Sequence, residues 1–377
     1  MRVVIFAGPT GGHFYPALAF AAAFRKRHPE TELVFVTGER GRPLAEKARS
    51  EFGGRFEFIP DFPFPRPRDL NFLIRAPGFL LKLARAFLKC CWIVGTFKPN
   101  LAVGFGSYVS GPGIWLSSKK GIPTLIHEQN RTMGRANAWA RRFADAVALT
   151  FEENPPRASR DKRSPLGIRH VVTGIPLRRA LVERAIAKER VKSSILPRDR
   201  FRILILGGSQ GSHALNLLWR GVIEGFSDEE KEKVAVIHIT GDKDFEAIKK
   251  MYFEKGIESL VYKFHGAMEE FYGEADLAIT RAGAGTLFEL ALFGLPAIVV
   301  PYPHADRHQE LNARYFEERG GLTVLPEAEA TPERLRREIL SLMDSEERRS
   351  QESKNLVQLA RPGAADELVK TAEKLLL

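Results

Sequence analysis

Short apolar runs alternate with longer helical patterns, each half of the chain opens on a Gly-rich turn, and 377 residues exceed one ordinary core. Together these features predict an α/β protein of two Rossmann-like domains, each built on a parallel sheet, with an interdomain cleft for substrates. In the first half, candidate strands lie at 2–7, 33–37, 101–104, 124–127 and 146–149. In the second they lie at 202–206, 234–240, 277–280 and 297–301. Nearly continuous apolar runs at 203–206 and 297–300 suit strands covered on both faces. Between the strands, 17–27, 79–94, 213–224 and 286–293 repeat apolar residues at helical spacing. A charged, Pro-containing stretch at 154–169 and a basic helix predicted at 176–192 separate the two series. The expected domains are therefore 1–175 and 176–357, followed by a helical segment whose packing side the residues alone leave open.

Composition narrows the class. Hydrophobic residues at 44% and charged residues at 27% are ordinary for a soluble globular protein. Lys and Arg outnumber Asp and Glu by 57 to 46, and this surplus favours an anionic partner: nucleic acid, anionic lipid or a phosphorylated substrate. No RNP-type aromatic motif, KH loop or helix-turn-helix signal accompanies the charge, so no nucleic-acid partner is expected. Cys90 and Cys91 are adjacent, which offers neither a disulfide framework nor a zinc site and points to a reduced, cytoplasmic protein. The N-terminus enters a Gly-rich turn at once, with no apolar run of the signal-peptide kind. Residues 100–118 are uncharged, but Gly104, Gly106, Gly111, Pro112 and Gly113 argue against a spanning helix there.

Three turns share one physical logic: A-G-P-T-G-G-H at 7–13, L-G-G-S-Q-G-S at 206–212, and R-A-G-A-G-T at 281–286. Each follows a predicted strand and precedes a predicted helix. Glycine lets the backbone approach a ligand, and the helix start offers free N–H groups to phosphate. A single such turn often serves only tight strand–helix packing; three at strand carboxyl ends favour nucleotide binding. The first turn fails the dinucleotide pattern, because Thr10 and His13 occupy its second and third glycine positions despite Glu39 downstream. No G-x-x-x-x-G-K-[ST] sequence occurs either. Asp242 and Asp244 form a D-x-D, but in a run that reads as a solvated turn leading into a helix. Neither a metal nor a cofactor is expected.

The segments around these turns resemble the MurG family of glycosyltransferases. G-G-H-F-Y-P-A-L-A at 11–19 is similar to the family's opening motif, and G-S-Y-V-S-G-P at 106–112 to its second Gly-rich loop. H-E-Q-N at 127–130 and G-G-S-Q-G at 207–211 match in full, and this combination is specific. From 275 to 312, Arg281, Gly283, Thr286, Glu289, Gly294, Pro296, Pro301, His308, Gln309 and Asn312 stand in register. The likeness covers nearly the whole chain, although G-G-H and the third turn are shared with other two-domain transferases.

The resemblance implies a GT-B fold whose helix at 358–377 crosses back to the N-terminal domain. It implies UDP-N-acetylglucosamine as donor, held mainly by the C-terminal domain, and lipid I (undecaprenyl-diphospho-MurNAc-pentapeptide) as acceptor. The acceptor's 4-hydroxyl would attack the anomeric carbon with inversion, giving a β-1,4 link and UDP. Helix dipoles and N–H groups would stabilise the leaving diphosphate without metal. By the same resemblance, Glu289 holds the ribose, while Ser209 and Arg178 serve the diphosphate. Thr10, Gly11 and Gly12 face the donor; Asn130 and Gln309 contact the sugar. Ala284, Gly285, Thr286, Leu287 and Phe288 line the pocket, and His265 lies near the uracil. Gly12, Gly106, Ser107 and Tyr108 form acceptor-diphosphate loops. His13 is the candidate general base, since an imidazole titrates near neutrality, with Glu128 as rival. Three positions depart from the family: Ser107 where a second glycine is common, Pro303 for a polar residue, and His265 for an apolar one. A related transferase using another UDP-hexose and a glycerolipid or small acceptor is the alternative, against which H-E-Q-N counts.

From residue 70 to 127 there is no acidic residue, while Arg75, Lys82, Arg85, Lys89, Lys98, Lys119 and Lys120 recur. Phe72, Leu73, Ile74, Phe79, Leu80, Leu83, Phe87, Leu88 and Trp92 interleave with them. Such a segment is either a core helix with a solvated basic back or a surface for anionic lipid. An acceptor with a polyprenyl tail favours the second, hence a peripheral protein on the cytoplasmic side of the cell membrane.

Overall fold

The computed structural model describes residues 1–62, 72–152, 169–187, 196–208, 211–303 and 307–377. Ser209, the loop at 154–165 and the end of the predicted basic helix lie outside the described residues.

Two compact units emerge, Met1–Arg178 with Gly363–Leu377, and Arg179–Pro362. The first contains β1 (Arg2–Phe6), β2 (Glu32–Gly38), β3 (Arg55–Ile59), β4 (Leu101–Gly104), β5 (Thr124–Glu128), β6 (Ala146–Leu149) and β7 (Arg169–Val172). They form one parallel sheet in the order β3-β2-β1-β4-β5-β6-β7. The second contains β8 (Phe201–Leu206), β9 (Val234–Ile239), β10 (Glu258–Tyr262), β11 (Leu277–Thr280), β12 (Ala297–Val299) and β13 (Thr323–Val324). Its sheet is also parallel, in the order β10-β9-β8-β11-β12-β13. In both sheets the strand order reverses beside the first strand, β1 or β8, the place where α/β folds leave a crevice at strand carboxyl ends.

The period of two in a strand explains the continuous apolar runs. Val3, Ile5, Leu33, Phe35, Leu101 and Val103 face one side of the first sheet and pack with Phe14, Ala17, Phe20 and Phe24 of the helix Gly11–Arg27. Val4, Phe6, Val34, Val36, Ala102 and Ile126 face the other side. Both faces are covered, so each large side chain contributes about 1.5–3 kcal/mol by burial. In the second unit Ile203, Ile205, Val234, Val236, Leu277 and Ile279 join Trp219, Val222 and Ile223 of the helix His213–Gly225.

The helix Ala364–Glu373 belongs to the first unit and sets Leu368, Val369 and Ala372 into its core. Its Glu373 accepts from Arg27 Nε and Nη2, both at 3.0 Å, and faces His28 Nε2 at 2.8 Å. The helix predicted from 176 is corrected at its start: it spans Arg179–Ala187. Gly174 has φ +82° and Ile175 and Leu177 are buried in the extended segment that follows, so their apolar side chains serve the core before the helix begins.

Candidate active site

In the first unit, β1 ends at Phe6 and the helix Gly11–Arg27 begins with Thr10 as an exposed N-cap that makes no side-chain capping bond. A Cβ on Gly8 would stand 2.5 Å from Ser107 Cβ and 2.9 Å from His13 Cδ2, so glycine lets the turn meet the loop after β4. In that loop Gly106 has φ +80° and Ser107 has φ +66°. The backbone at Ser107 is thus left-handed, a conformation that favours glycine. Tyr108 donates its hydroxyl to Asp61, which also accepts from Arg40 N at 3.1 Å. Burial first, then Asp61, push the phenol above its ordinary value, so it stays protonated.

His13 occupies the first turn of the helix and is half-buried, with Nδ1 3.1 Å from Gln129 Oε1. Burial lowers its pKa, opposed by the Glu128 charge, by the hydrogen bond to Gln129 and by the nearby Phe105 carbonyl. It is therefore neutral at pH 7, the form in which an imidazole can take a proton. Glu128 is 2% exposed and fully engaged. Its Oε1 accepts from Asn130 N at 2.9 Å and Asn130 Nδ2 at 3.2 Å; Oε2 accepts from Gly134 N and Asn137 Nδ2, both at 2.9 Å. With both oxygens occupied, Glu128 braces the loop after β5 and holds Asn130 in place. A cavity of about 220 Å³ opens beside this loop, lined among others by Glu128, Asn130, Arg131 and Arg141. Arg178 lies over the Tyr15 ring, 5.4 Å from its centroid.

In the second unit, a Cβ on Gly211 (φ +73°) would stand 2.4 Å from the Thr240 carbonyl, so no side chain fits there. Ser212 caps the helix His213–Gly225 by accepting from Leu215 N. Buried Arg281 donates Nε to Ser212 Oγ at 2.9 Å and Nη1 to the Val300 carbonyl at 3.1 Å and to Glu327, tying the second Gly-rich turn to the third. Gly283 then caps the helix Ala284–Phe293. Gly285 and Thr286 are half-buried in its first turn, where N–H groups have no helical partner. Leu287 and Phe288 need a correction: both side chains are core residues, Phe288 packing on Phe316 with centroids 5.2 Å apart, so only their backbone can serve a ligand.

Glu289 is half-buried and accepts the Tyr272 hydroxyl at 2.6 Å. Gln309 Oε1 accepts from Ala282 N at 3.1 Å and Tyr302 N at 2.9 Å, which leaves Nε2 as the group it can offer a ligand. His265 sits between Tyr262 and Phe271, at centroid distances of 5.1 and 4.2 Å. Asp244 accepts from Asn216 Nδ2 at 2.7 Å and faces His213 Nδ1 at 2.8 Å, bracing the start of the helix Phe245–Glu254. Among the described residues no cluster of three His, Cys, Asp or Glu could hold a metal. Motif reading gave no role to Gln129, Tyr272 or Arg281. Gln129 and Arg281 lay inside quoted motifs, whereas Tyr272 carried no signal at all.

Two parallel-sheet α/β units with Gly-rich strand-to-helix turns define the GT-B class. A crystal structure of Acinetobacter baumannii MurG shares the fold with a TM-score of 0.72 and 28% identity, over 99% of each chain. A kitacinnamycin glycosyltransferase structure, 15% identical with a TM-score of 0.71, shares the fold alone. Residues 3–149 match the glycosyltransferase family 28 N-terminal domain and residues 202–368 its C-terminal domain. The chain belongs to glycosyltransferase family 28, among the UDP-N-acetylglucosamine–N-acetylmuramyl-(pentapeptide) pyrophosphoryl-undecaprenol N-acetylglucosamine transferases. The relative of that name from Desulforamulus reducens is 32% identical, covering 100% of this chain and 99% of its own. That from Anaeromyxobacter sp. (strain Fw109-5) is 36% identical, covering 100% and 93%.

Proposed function

We propose that this protein moves N-acetylglucosamine from UDP-N-acetylglucosamine to the 4-hydroxyl of the MurNAc of lipid I, forming lipid II for peptidoglycan. The end-to-end similarity to transferases named for that reaction carries the proposal. His13 takes the hydroxyl proton as the acceptor oxygen bonds to the anomeric carbon. The bond from that carbon to the diphosphate breaks on the opposite face, so the configuration inverts and UDP departs with the electron pair. Glu289 accepts hydrogen bonds from the ribose hydroxyls, with Tyr272 holding one of its oxygens. Gln309 Nε2 and Asn130 contact the sugar. The Gly-rich turns before His213 and Ala284 offer N–H groups to the diphosphate, as do Thr10, Gly11 and Gly12. Arg178 adds charge there, and Gly106, Ser107 and Tyr108 serve the acceptor diphosphate.

Mass spectrometry of products from a short-chain lipid I analogue offered a panel of UDP-sugars tests the proposal. A mass gain of one N-acetylhexosamine is expected from UDP-N-acetylglucosamine, undiminished by EDTA. Preference for UDP-glucose or UDP-galactose would refute the donor; loss with EDTA and recovery with Mg²⁺ would refute metal-free leaving-group stabilisation.

The helix Phe72–Phe97 supports a peripheral membrane site. Phe79, Leu83 and Phe87 pack on the core beside Ala86, Cys90 and Ile93, so this part of the apolar pattern is structural. Leu80, Leu81, Leu88 (66% exposed) and Trp92 (52%) face outward beside exposed Lys82 and Arg85. No helix among the described residues is long and apolar enough to cross a membrane. Each basic group near an anionic surface contributes about 1 kcal/mol. Lys89 bridges Glu57 at 3.2 Å, so Lys82→Glu/Arg85→Glu is the cleaner charge reversal. Co-sedimentation with anionic liposomes should fall steeply in this variant while turnover of a water-soluble acceptor analogue persists. Added salt should weaken wild-type binding without abolishing it, because the apolar side chains contribute independently. Undiminished liposome binding by the variant would move the docking face elsewhere.

A further inference from the structure

Behind His13 lies a buried chain of polar groups. Gln129 is 3% exposed, and its Nε2 lies 3.1 Å from the Phe105 carbonyl, 3.3 Å from the His127 carbonyl and 3.2 Å from His127 Nδ1. Carbonyl oxygens only accept, so the amide nitrogen belongs on this side; reversing the amide would set Oε1 against two carbonyl oxygens. His127 agrees independently. Its Nε2 is 2.9 Å from the Gly174 carbonyl and donates to it, leaving Nδ1 as an acceptor for Gln129. Burial pushes the His127 pKa down to about 4, so this second imidazole remains neutral at pH 7 and the arrangement persists. Gln129 Oε1 is thereby turned toward His13 Nδ1, 3.1 Å away. An acceptor opposite Nδ1 requires the hydrogen of neutral His13 to sit there, which frees the lone pair of Nε2.

We infer that Gln129, backed by His127, is a positioning residue that locks His13 in the Nδ1–H tautomer and so leaves Nε2 as the proton acceptor. A hydrogen bond at one ring nitrogen decides which nitrogen is free to react. The neutral amide differs from a carboxylate partner in adding no charge to raise the basicity of His13. The ring is held in the reactive tautomer while burial keeps its pKa low. Catalysis by this lone pair depends on the proposed transfer reaction, whereas the tautomer can be observed in the resting protein.

The test is ¹⁵N NMR of the imidazole nitrogens in the full chain above pH 7, with the His13 signals assigned by their loss in His13→Gln. Wild type should show a protonated Nδ1 and an unprotonated Nε2 at His13. In Gln129→Leu the His13 signals should move toward the Nε2–H form. In that variant kcat should fall about ten- to hundredfold, since a general base contributes ~10²–10⁴-fold and part of the population keeps the useful tautomer. Donor affinity should stay within about twofold, as Gln129 is buried and both ends of its amide are engaged by protein groups. A wild-type His13 carrying its proton on Nε2 would overturn the lock without any variant, so misfolding of Gln129→Leu cannot rescue it. Unchanged ring signals in folded Gln129→Leu would overturn it equally. A wild type inert in sugar transfer, yet showing an Nδ1–H that Gln129→Leu removes, would sink the transfer reaction and support the lock.

Discussion

His13→Ala should lower kcat by about 10²–10⁴-fold while leaving the donor Kd nearly unchanged, because proton removal is lost and the donor contacts are not. A base works only when unprotonated, so activity falls as pH drops through its pKa. Burial holds the His13 pKa below the ordinary 6.5, and the acid limb of the wild-type profile should lie below that value. In His13→Ala this limb should vanish. Survival of the limb would pass the role to another group, Glu128 first. Loss of rate in Glu128→Gln would not decide the matter. That carboxylate accepts from the backbone at Asn130 and Gly134 and from two side-chain amides, and a glutamine would turn its own N–H groups toward some of these donors. The pH profile separates a base from a brace, and the size of the loss does not.

Glu289→Ala should weaken UDP-N-acetylglucosamine binding roughly ten- to hundredfold, with little change in acceptor KM. Hydrogen bonds to a charged group contribute about 1.5–3 kcal/mol, and every ~1.4 kcal/mol is tenfold in affinity. The Tyr272 hydroxyl occupies one side of the carboxylate at 2.6 Å, so the group is aimed before ligand arrives. Tyr272→Phe should therefore weaken the donor in the same sense by a smaller factor. Calorimetry measures both, and an unchanged donor Kd in Glu289→Ala would remove this residue from the ribose.

The interior of each sheet was legible from sequence because strands buried on both faces are apolar throughout. Val3 to Phe6, Leu101 to Gly104 and Leu277 to Thr280 read without ambiguity. The four strands that escaped notice, β3, β7, β10 and β13, are the four sheet edges. An edge strand has one neighbour and more exposure, which admits Arg55 and Glu57, His170, or Glu258 into the run; β13 is two residues long. The turns were legible because glycine is a backbone requirement, as the Thr240 carbonyl against Gly211 shows. Partnerships between side chains were not. Gln129 and His13 stand 116 positions apart and meet only because β1, β4 and β5 are neighbours. Local periodicity carries no trace of such an encounter. Leu287 and Phe288 illustrate the converse: they stand in a motif that suggested a pocket lining, yet helical geometry turns both side chains into the core.

The return of the helix Ala364–Glu373 to the first unit has a consequence for biosynthesis. Leu368, Val369 and Ala372 complete a core whose other members are almost all made before residue 150. Residues 179–362 must be translated in between, which at ~5–20 residues per second takes roughly 10–40 s. During that interval the nascent chain exposes the apolar flank of the Gly11–Arg27 helix that Leu368 and Val369 later cover, while Arg179–Pro362 emerges as a unit with its own core. The half that leaves the ribosome first is thus the half that finishes last. A stop codon introduced shortly before residue 363 would harm the N-terminal core rather than the unit beside it.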